Sequence, residues 1–184
     1  MTLNGEPYAP RTPRQAIARG VAYVPPDRDR EGLLLRAPIG LNVTLASLPK
    51  LAQVGIYSGR GEPTVVGRFI RDLSIRCRNE TDLPLTLSGG NRQKVVLAKW
   101  LLTEPGLLIL HNPTRGIDVR AKAEIYRLVD ELAAEGMAIV LVSDELPELI
   151  GMSDRILMMR RGRISHETIR DLDPTEDELI AYMV

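Results

Sequence analysis

Short apolar runs separated by helical patterns constrain this chain more than any other feature of its sequence. Leu107–Leu110 and Ala138–Val142 are unbroken apolar runs, far shorter than the ~20 residues of a membrane-spanning helix. Between them, Arg120–Glu135 repeats its apolar residues at helical spacing. Gly20–Val24 and Arg155–Met159 are typical of further short strands. This alternation predicts an α/β fold with a parallel sheet covered by helices on both faces.

The remaining segments have helical, turn or loop patterns. A helix is predicted over Gly90–Leu102 with one buried apolar stripe. The alternating charges of Asp27–Glu31 predict a solvated loop. The glycines of Leu51–Gly61 predict another loop, and Arg161-Gly162 predicts a hairpin turn. Further helices are predicted over Ile39–Leu48, from Pro63 to about Leu73, over Pro147–Ile150 and over Pro174–Met183.

Composition excludes several classes of protein. A length of 184 residues fits one domain. Lys and Arg number 24, as do Asp and Glu, so no long basic surface and no nucleic-acid partner are expected. The single cysteine, Cys77, excludes an internal disulfide, and His111 and His166 are the only histidines. No metal site and no transmembrane segment are therefore expected.

Ser88-Gly89-Gly90 stands where the helix predicted from Gly90 begins. Serine is a good N-cap, and two glycines leave backbone N–H groups uncovered. Such a helix end favours an anion, because the free N–H groups and the helix dipole point outward. Alone, this tripeptide is more often an ordinary turn and cap. It becomes more specific with the strand Leu107–Leu110 and the segment Pro113–Asp118 behind it.

In this order the motifs resemble the nucleotide-binding domain of ABC transporters. LSGGNRQK resembles the signature motif of that family, and LLILHNPTRGID resembles its Walker B strand and D-loop. GVAYVPPDR is similar to the segment around the Q-loop, and IVLVSDELPE to the switch region. From Asn112 to Ile164 the sequence resembles the second, C-terminal nucleotide-binding domain of the double-domain ATP-binding proteins of ribose- and galactose-type sugar importers.

The resemblance implies a P-loop NTPase-like core with a mostly parallel sheet and an inserted helical subdomain. The chain is expected to start after the place of the phosphate loop, so that the domain is incomplete at its N-terminus. The implied segments are a partial N-terminal strand with the Q-loop (1–35), the helical subdomain (36–87), the signature, Walker B, D-loop and switch core (88–165) and a C-terminal helix (166–184).

The resemblance also implies the ligand and the partners. ATP would lie between this chain and another nucleotide-binding domain. A sugar-import permease in the membrane would contact roughly residues 30–48, which places the chain in the cytoplasm, peripheral on the inner face of the membrane. The implied nucleotide-binding residues are Ser88, Gly89 and Gly90 at the γ-phosphate, Asn91 and Gln93 in support of the helix start, and Asp118 as the D-loop residue.

Several positions depart from the family pattern. No Gly-x-x-x-x-Gly-Lys-[Ser/Thr] phosphate loop occurs in the 184 residues. His111 stands in place of the Walker B aspartate and Asn112 in place of the glutamate that polarises water. Imidazole is a poor ligand for Mg²⁺ and an amide is no general base. Pro26 occupies the Q-loop position and Asp144 the switch-histidine position. We therefore expect no catalytic residue, no Mg²⁺ bound by this chain and no hydrolysis by the chain alone.

Three interpretations remain open at this point. The first is an ATP-binding subunit, a partial second nucleotide-binding domain that contributes the signature face in a carbohydrate importer. The second is a non-catalytic interaction module that docks on a transporter ATPase or permease independently of nucleotide. The third is a poorly folding chain whose apolar sheet faces stay uncovered and invite aggregation.

Overall fold

The computed structural model describes residues 2–48 and 62–183. The chain divides into two compact units, Met1–Val140 and Leu141–Val184. The division falls inside a strand, and the segment boundaries expected at 35, 87 and 165 stay predictions. The predicted loop Leu51–Gly61 lies outside the described residues.

The first unit contains most of the helices and a three-stranded sheet. The sheet has the order β3-β4-β5, and β3 is parallel to β4 with Val24 opposite Leu110. A π-helix over Arg28–Gly32 follows β3, and 3₁₀ turns cover Leu45–Ser47 and Pro84–Thr86. The strands and α-helices are β1 (Thr2–Leu3), β2 (Glu6–Pro7), α1 (Pro13–Ala18), β3 (Val21–Val24), α2 (Ile39–Thr44), α3 (Glu62–Asp72), α4 (Gly89–Leu101), β4 (Leu107–His111), α5 (Val119–Ala134) and β5 (Ala138–Val142).

The core of this unit lies between one sheet face and α4. Ala22, Val24, Leu108 and Leu110 alternate along β3 and β4 and are fully buried. Helix α4 packs against β3, α2, α5 and the π-helix. It is buried on nearly every side from Gln93 to Lys99, so the prediction of a single apolar stripe was wrong. A helix surrounded by four elements has no solvent face left to be polar.

Three apolar side chains of the sheet are partly exposed. Tyr23 is 41% exposed, Val140 46% and Val142 43%. Val21, on the same face of β3 as Tyr23, is only 7% exposed, and the expectation of helices on both faces of the sheet stays a prediction. An unbroken apolar run predicts a buried strand, but it does not show which segment packs on that strand.

The segment predicted as a solvated loop at Asp27–Glu31 forms the π-helix instead. Asp27 caps it by accepting hydrogen bonds from the backbone N–H groups of Asp29 and Arg30. Arg28 and Asp29 are half-buried, because their charges meet partners on α4 and on the turn after β4. Alternating charge therefore marked a structured contact here.

The second unit is a hairpin with helices beside it. Arg161 and Gly162 adopt left-handed backbone, with φ of 48° and 75°, which confirms the predicted two-residue turn. Its core comprises Ile156, Met158 and Leu179. No helix in the described part of the chain is long and apolar enough to cross a membrane. The elements are α6 (Leu146–Met152), the antiparallel strands β6 (Arg155–Arg160) and β7 (Arg163–Ile169), a 3₁₀ turn (Arg170–Leu172) and α7 (Glu176–Ile180).

Candidate functional site

The start of α4 presents backbone donors beside an exposed hydroxyl. Ser88 is exposed and is the N-cap of the helix. Its Oγ accepts a 2.9 Å hydrogen bond from Asn91 Nδ2 and a long 3.5 Å contact from the Asn91 backbone N–H. Within the described residues no acceptor is found for the backbone N–H of Gly89 or Gly90. These two groups remain available to an anion.

Asn91 connects this helix start to the segment after α3. Its side-chain Oδ1 accepts a 2.9 Å hydrogen bond from the backbone N–H of Arg76. The same side chain donates to Ser88, so both of its ends are used within the protein. Asn91 therefore connects Ser88 to the segment after α3, and its role in nucleotide binding stays a prediction.

A second helix start faces the first. Asp118 is the N-cap of α5, where its Oδ1 accepts a 2.9 Å hydrogen bond from Ala121 N–H. A cavity of ≈ 50 Å³ is lined by residues of both helix starts. Gly90 permits the approach, since a Cβ there would lie 2.5 Å from Ala121 Cβ. The lining residues are Arg76, Ser88, Gly90, Asn91, Asp118, Arg120, Ala121 and Glu124.

Charged side chains gather around Glu124 at one side of this cavity. Lys94 Nζ lies 2.7 Å from a Glu124 carboxylate oxygen, and Arg120 and Arg76 lie at 3.6 and 3.8 Å from the other. The hydrogen bond from Lys94, together with the nearby positive charges, lowers the pKa of Glu124. Three cations surround the one carboxylate of Glu124. This cluster of four side chains therefore has a net positive charge beside the free N–H donors. Sequence reasoning missed this cluster, because its members come from three separate segments.

The π-helix contacts both α4 and the turn that precedes α5. Arg28 donates to the carbonyl oxygens of Arg115 and Gly116 at 2.6 and 3.2 Å. Burial lowers the pKa of Arg28, although Asp29 opposes the shift, and an arginine keeps its charge in such a site. Asp29 pairs with Arg92 of α4 at 3.2 Å. Sequence reasoning missed these residues as well, because it placed them in solvent.

His111, which the resemblance places at the Walker B aspartate, is the last residue of β4, and Asn112 follows it. His111 Nδ1 lies 3.1 Å from Tyr23 Oη on the neighbouring strand. Asn112 follows in left-handed backbone with φ of 47°, a conformation that asparagine tolerates better than most residues. Pro26 is half-buried between β3 and the π-helix. Throughout residues 2–48 and 62–183, no group of three His, Cys, Asp or Glu side chains is placed to hold a metal ion.

Gln93 and Asp144 are not among the residues that line this cavity. Gln93 is 2% exposed and its Nε2 has no hydrogen-bond partner among the described residues. It faces the interior, so any effect on the helix start is indirect. Asp144 is exposed and belongs to the second unit. The structure thus brings together Ser88, Gly90, Asn91 and Asp118, with Gly89 beside Arg28.

Curated relatives cover most of this chain. It is 48% identical over 174 residues to ribose import ATP-binding protein RbsA 2 of Mesorhizobium japonicum, across 94% of this chain and 34% of the relative. It is 46% identical to xylose import ATP-binding protein XylG of Burkholderia cenocepacia, across 89% and 32%. The chain spans about a third of the length of these relatives. No family model matches it.

Solved structures give the fold. The chain superposes with a TM-score of 0.76 on cbiO1 of Clostridium perfringens, described as part of the ABC transporter complex cbiONQ, at 20% identity and with 98% of this chain and 69% of that one covered. A dimeric ATP-binding cassette in a post-hydrolysis state bound to ADP and Pi gives a TM-score of 0.71 at 21% identity, with 85% and 65% covered. These likenesses confirm the predicted P-loop NTPase-like α/β fold. The chain is therefore a homologue of sugar-import ATP-binding proteins over about a third of their length, and it has the fold of an ABC ATP-binding cassette.

Proposed function

We propose that this chain supplies the signature half of an ATP site that a second nucleotide-binding domain completes, as part of the ATP-binding unit of a sugar importer. The observation that carries the proposal is the start of α4. There an exposed Ser88 and Gly90, with its free N–H group, line the cavity shared with Asp118, and Gly89 lies beside Arg28. Backbone donors at a helix start suit a phosphate group.

The size of the cavity supports a shared site. Small-molecule pockets commonly enclose roughly 300–1,000 Å³, whereas this cavity measures ≈ 50 Å³. It has room for a terminal phosphate and no room for a whole nucleotide. The sequence contains no phosphate loop that would hold the remainder. A partner domain would therefore bind most of the ATP.

The donor set suits the end of a triphosphate. Ser88 Oγ and the N–H group of Gly90 offer hydrogen bonds, and Arg76 and Arg120 on the cavity lining add positive charge. ATP supplies the phosphate anion that these groups recognise. Mg²⁺ would come with the partner, because His111 contacts Tyr23 and offers no carboxylate. The isolated chain would then bind ATP weakly and hydrolyse none.

The proposed assembly follows from the relatives that the chain resembles. Their names describe them as import ATP-binding proteins for ribose and xylose, so a permease of a sugar importer is the proposed second partner. Such a partner would hold the chain on the cytoplasmic face of the membrane.

A titration with an intact nucleotide-binding domain tests the proposal. The partner carries a phosphate loop and its metal carboxylates, and binding to this chain is measured with and without Mg-ATP by calorimetry. We expect ATP to tighten the association at least tenfold. Ser88→Arg places a bulky side chain over the phosphate position and should abolish the ATP effect.

The control adds the same charge away from the site. Ala134 lies at the far end of α5 from Asp118, about 24 Å away at 1.5 Å per residue. The variant Ala134→Arg should therefore retain the ATP effect. Association of the wild-type chain that ignores nucleotide would contradict the proposal and favour the interaction module.

A further inference from the structure

Arg28 reaches from the π-helix to the turn that precedes α5. Its Nη1 and Nη2 donate to the carbonyl oxygens of Arg115 and Gly116, at 2.6 and 3.2 Å. The side chain is only 13% exposed. A planar guanidinium can serve two neighbouring acceptors at once, and a lysine ammonium of similar length cannot reproduce that fork. The contact is therefore specific to arginine.

Gly89 lies at the same point and leaves room for the guanidinium. A Cβ at Gly89 would lie 2.9 Å from Arg28 Nη2 and 3.3 Å from the Gly116 carbonyl oxygen. Three segments meet here, namely the π-helix, the first residue of α4 and the turn at residues 115–116. Arg28 passes between the other two because residue 89 has no side chain.

The π-helix is fixed to α4 by contacts that do not involve Arg28. Asp29 pairs with Arg92 at 3.2 Å near one end. At the other end, Lys99 Nζ donates to the Gly32 carbonyl oxygen at 2.6 Å. Loss of the Arg28 side chain should therefore leave the π-helix on α4 and release the 115–116 turn.

We propose that Arg28 is a positioning residue that holds the 115–116 turn, and with it Asp118, against the start of α4. Asp118 follows this turn by two residues and lines the cavity with Ser88. The position of the turn thus sets the distance between the two N-cap residues, Ser88 and Asp118. The link to nucleotide rests on the proposed function, whereas the link to the turn does not.

Amide hydrogen exchange tests the link to the turn. Arg28→Lys keeps the charge and loses the fork, and Arg28→Gln keeps one donor and loses the charge. In both variants we expect exchange at residues 115–118 to rise about tenfold, the size expected for a lost charge-assisted hydrogen bond, with no change in α4. Arg14→Lys, at an exposed position of α1, should match the wild type. Unchanged exchange at 115–118 in the Arg28 variants would overturn the proposal.

The calorimetric titration with an intact nucleotide-binding domain tests the consequence. We expect Arg28→Lys to weaken the ATP-dependent association about tenfold and to leave the nucleotide-free association unchanged. Faster exchange with a full ATP effect would overturn the positioning role. If the wild-type chain shows no ATP effect, the proposed function fails and hydrogen exchange alone decides the Arg28 link. If neither variant folds cooperatively, Arg28 is an ordinary structural residue and the proposal is overturned.

Discussion

Lys99 shows how a single side chain in α4 is affected by burial. It is 6% exposed, it donates to the Gly32 carbonyl oxygen, and its Nζ lies 5.0 Å from the centre of the Trp100 ring. Burial lowers the pKa of Lys99 from its ordinary value of 10.5 to about 8. The ammonium is thus harder to protonate in the folded protein than in the unfolded chain.

We predict that this lysine makes stability depend on alkaline pH. Between about pH 8 and 10.5 the unfolded chain holds a proton at Lys99 that the folded protein has released, so its contribution to the free energy of unfolding rises with pH, by about 3 kcal/mol over the window. Lys99→Met should remove that part of the slope. Urea denaturation of both proteins from pH 7 to 10.5 measures it, and equal slopes would contradict the prediction.

Individual residues were predictable from sequence where the signal is local. Ser88 precedes two glycines and an apolar helix, so its place as a cap follows from neighbouring residues. Arg28 was assigned to solvent because its partners at 115–116 lie 87 residues and more away in sequence. Only the fold brings such partners together.

At the level of elements, the close contact between α4 and α5 shapes the candidate site. Gly90 faces Ala121 so closely that an added Cβ would lie 2.5 Å from the alanine Cβ. The two helix starts consequently lie side by side, and Ser88 and Asp118 line one cavity. A small residue on each helix is what permits this spacing.

Gly90→Ala is predicted to destabilise the protein by about 1–3 kcal/mol, because overpacking must push the helices apart. Ala121→Gly should cost about 1 kcal/mol through helix propensity. The double variant should lose less stability than the sum of the two, since the glycine at 121 restores the space. Urea denaturation of the four proteins gives the coupling energy, and strictly additive losses would disprove the steric explanation.

Elements with strong periodicity were predicted to within a residue or two. The strand at Leu107 and the helices α4 and α5 are examples, because each contains an apolar pattern of a definite period. The hairpin of β1 and β2 around Asn4 and Gly5 and the short helix α1 were not predicted. The π-helix was missed because its stabilising contacts are with distant segments.

For the whole molecule, the two compact units and three partly exposed apolar side chains of the sheet are the main features. Tyr23, Val140 and Val142 are each more than 40% exposed. The apolar runs predicted the strands of this sheet. A run of apolar residues does not show which segments pack on each face of the sheet.

We predict no metal-dependent phosphate release from ATP by the isolated chain. Loss of one electrostatic group commonly costs ~10²–10³ in rate. The 184 residues contain no phosphate-loop motif, and His111 and Asn112 stand where the resemblance places the Walker B carboxylates. The double change His111→Asp and Asn112→Glu should not restore activity, because the loop is still missing. An intact nucleotide-binding domain assayed in parallel is the control. Release above background by either form of the chain would contradict the prediction.

The close approach of Arg28 to Gly89 has an evolutionary consequence. Any side chain at position 89 must first displace the guanidinium, since its Cβ would start 2.9 Å from Arg28 Nη2. The two positions should therefore covary among homologues, with a shorter residue at 28 wherever 89 is not glycine. A residue larger than glycine at position 89 would have to shift the Arg28 guanidinium away from the carbonyl oxygens of Arg115 and Gly116.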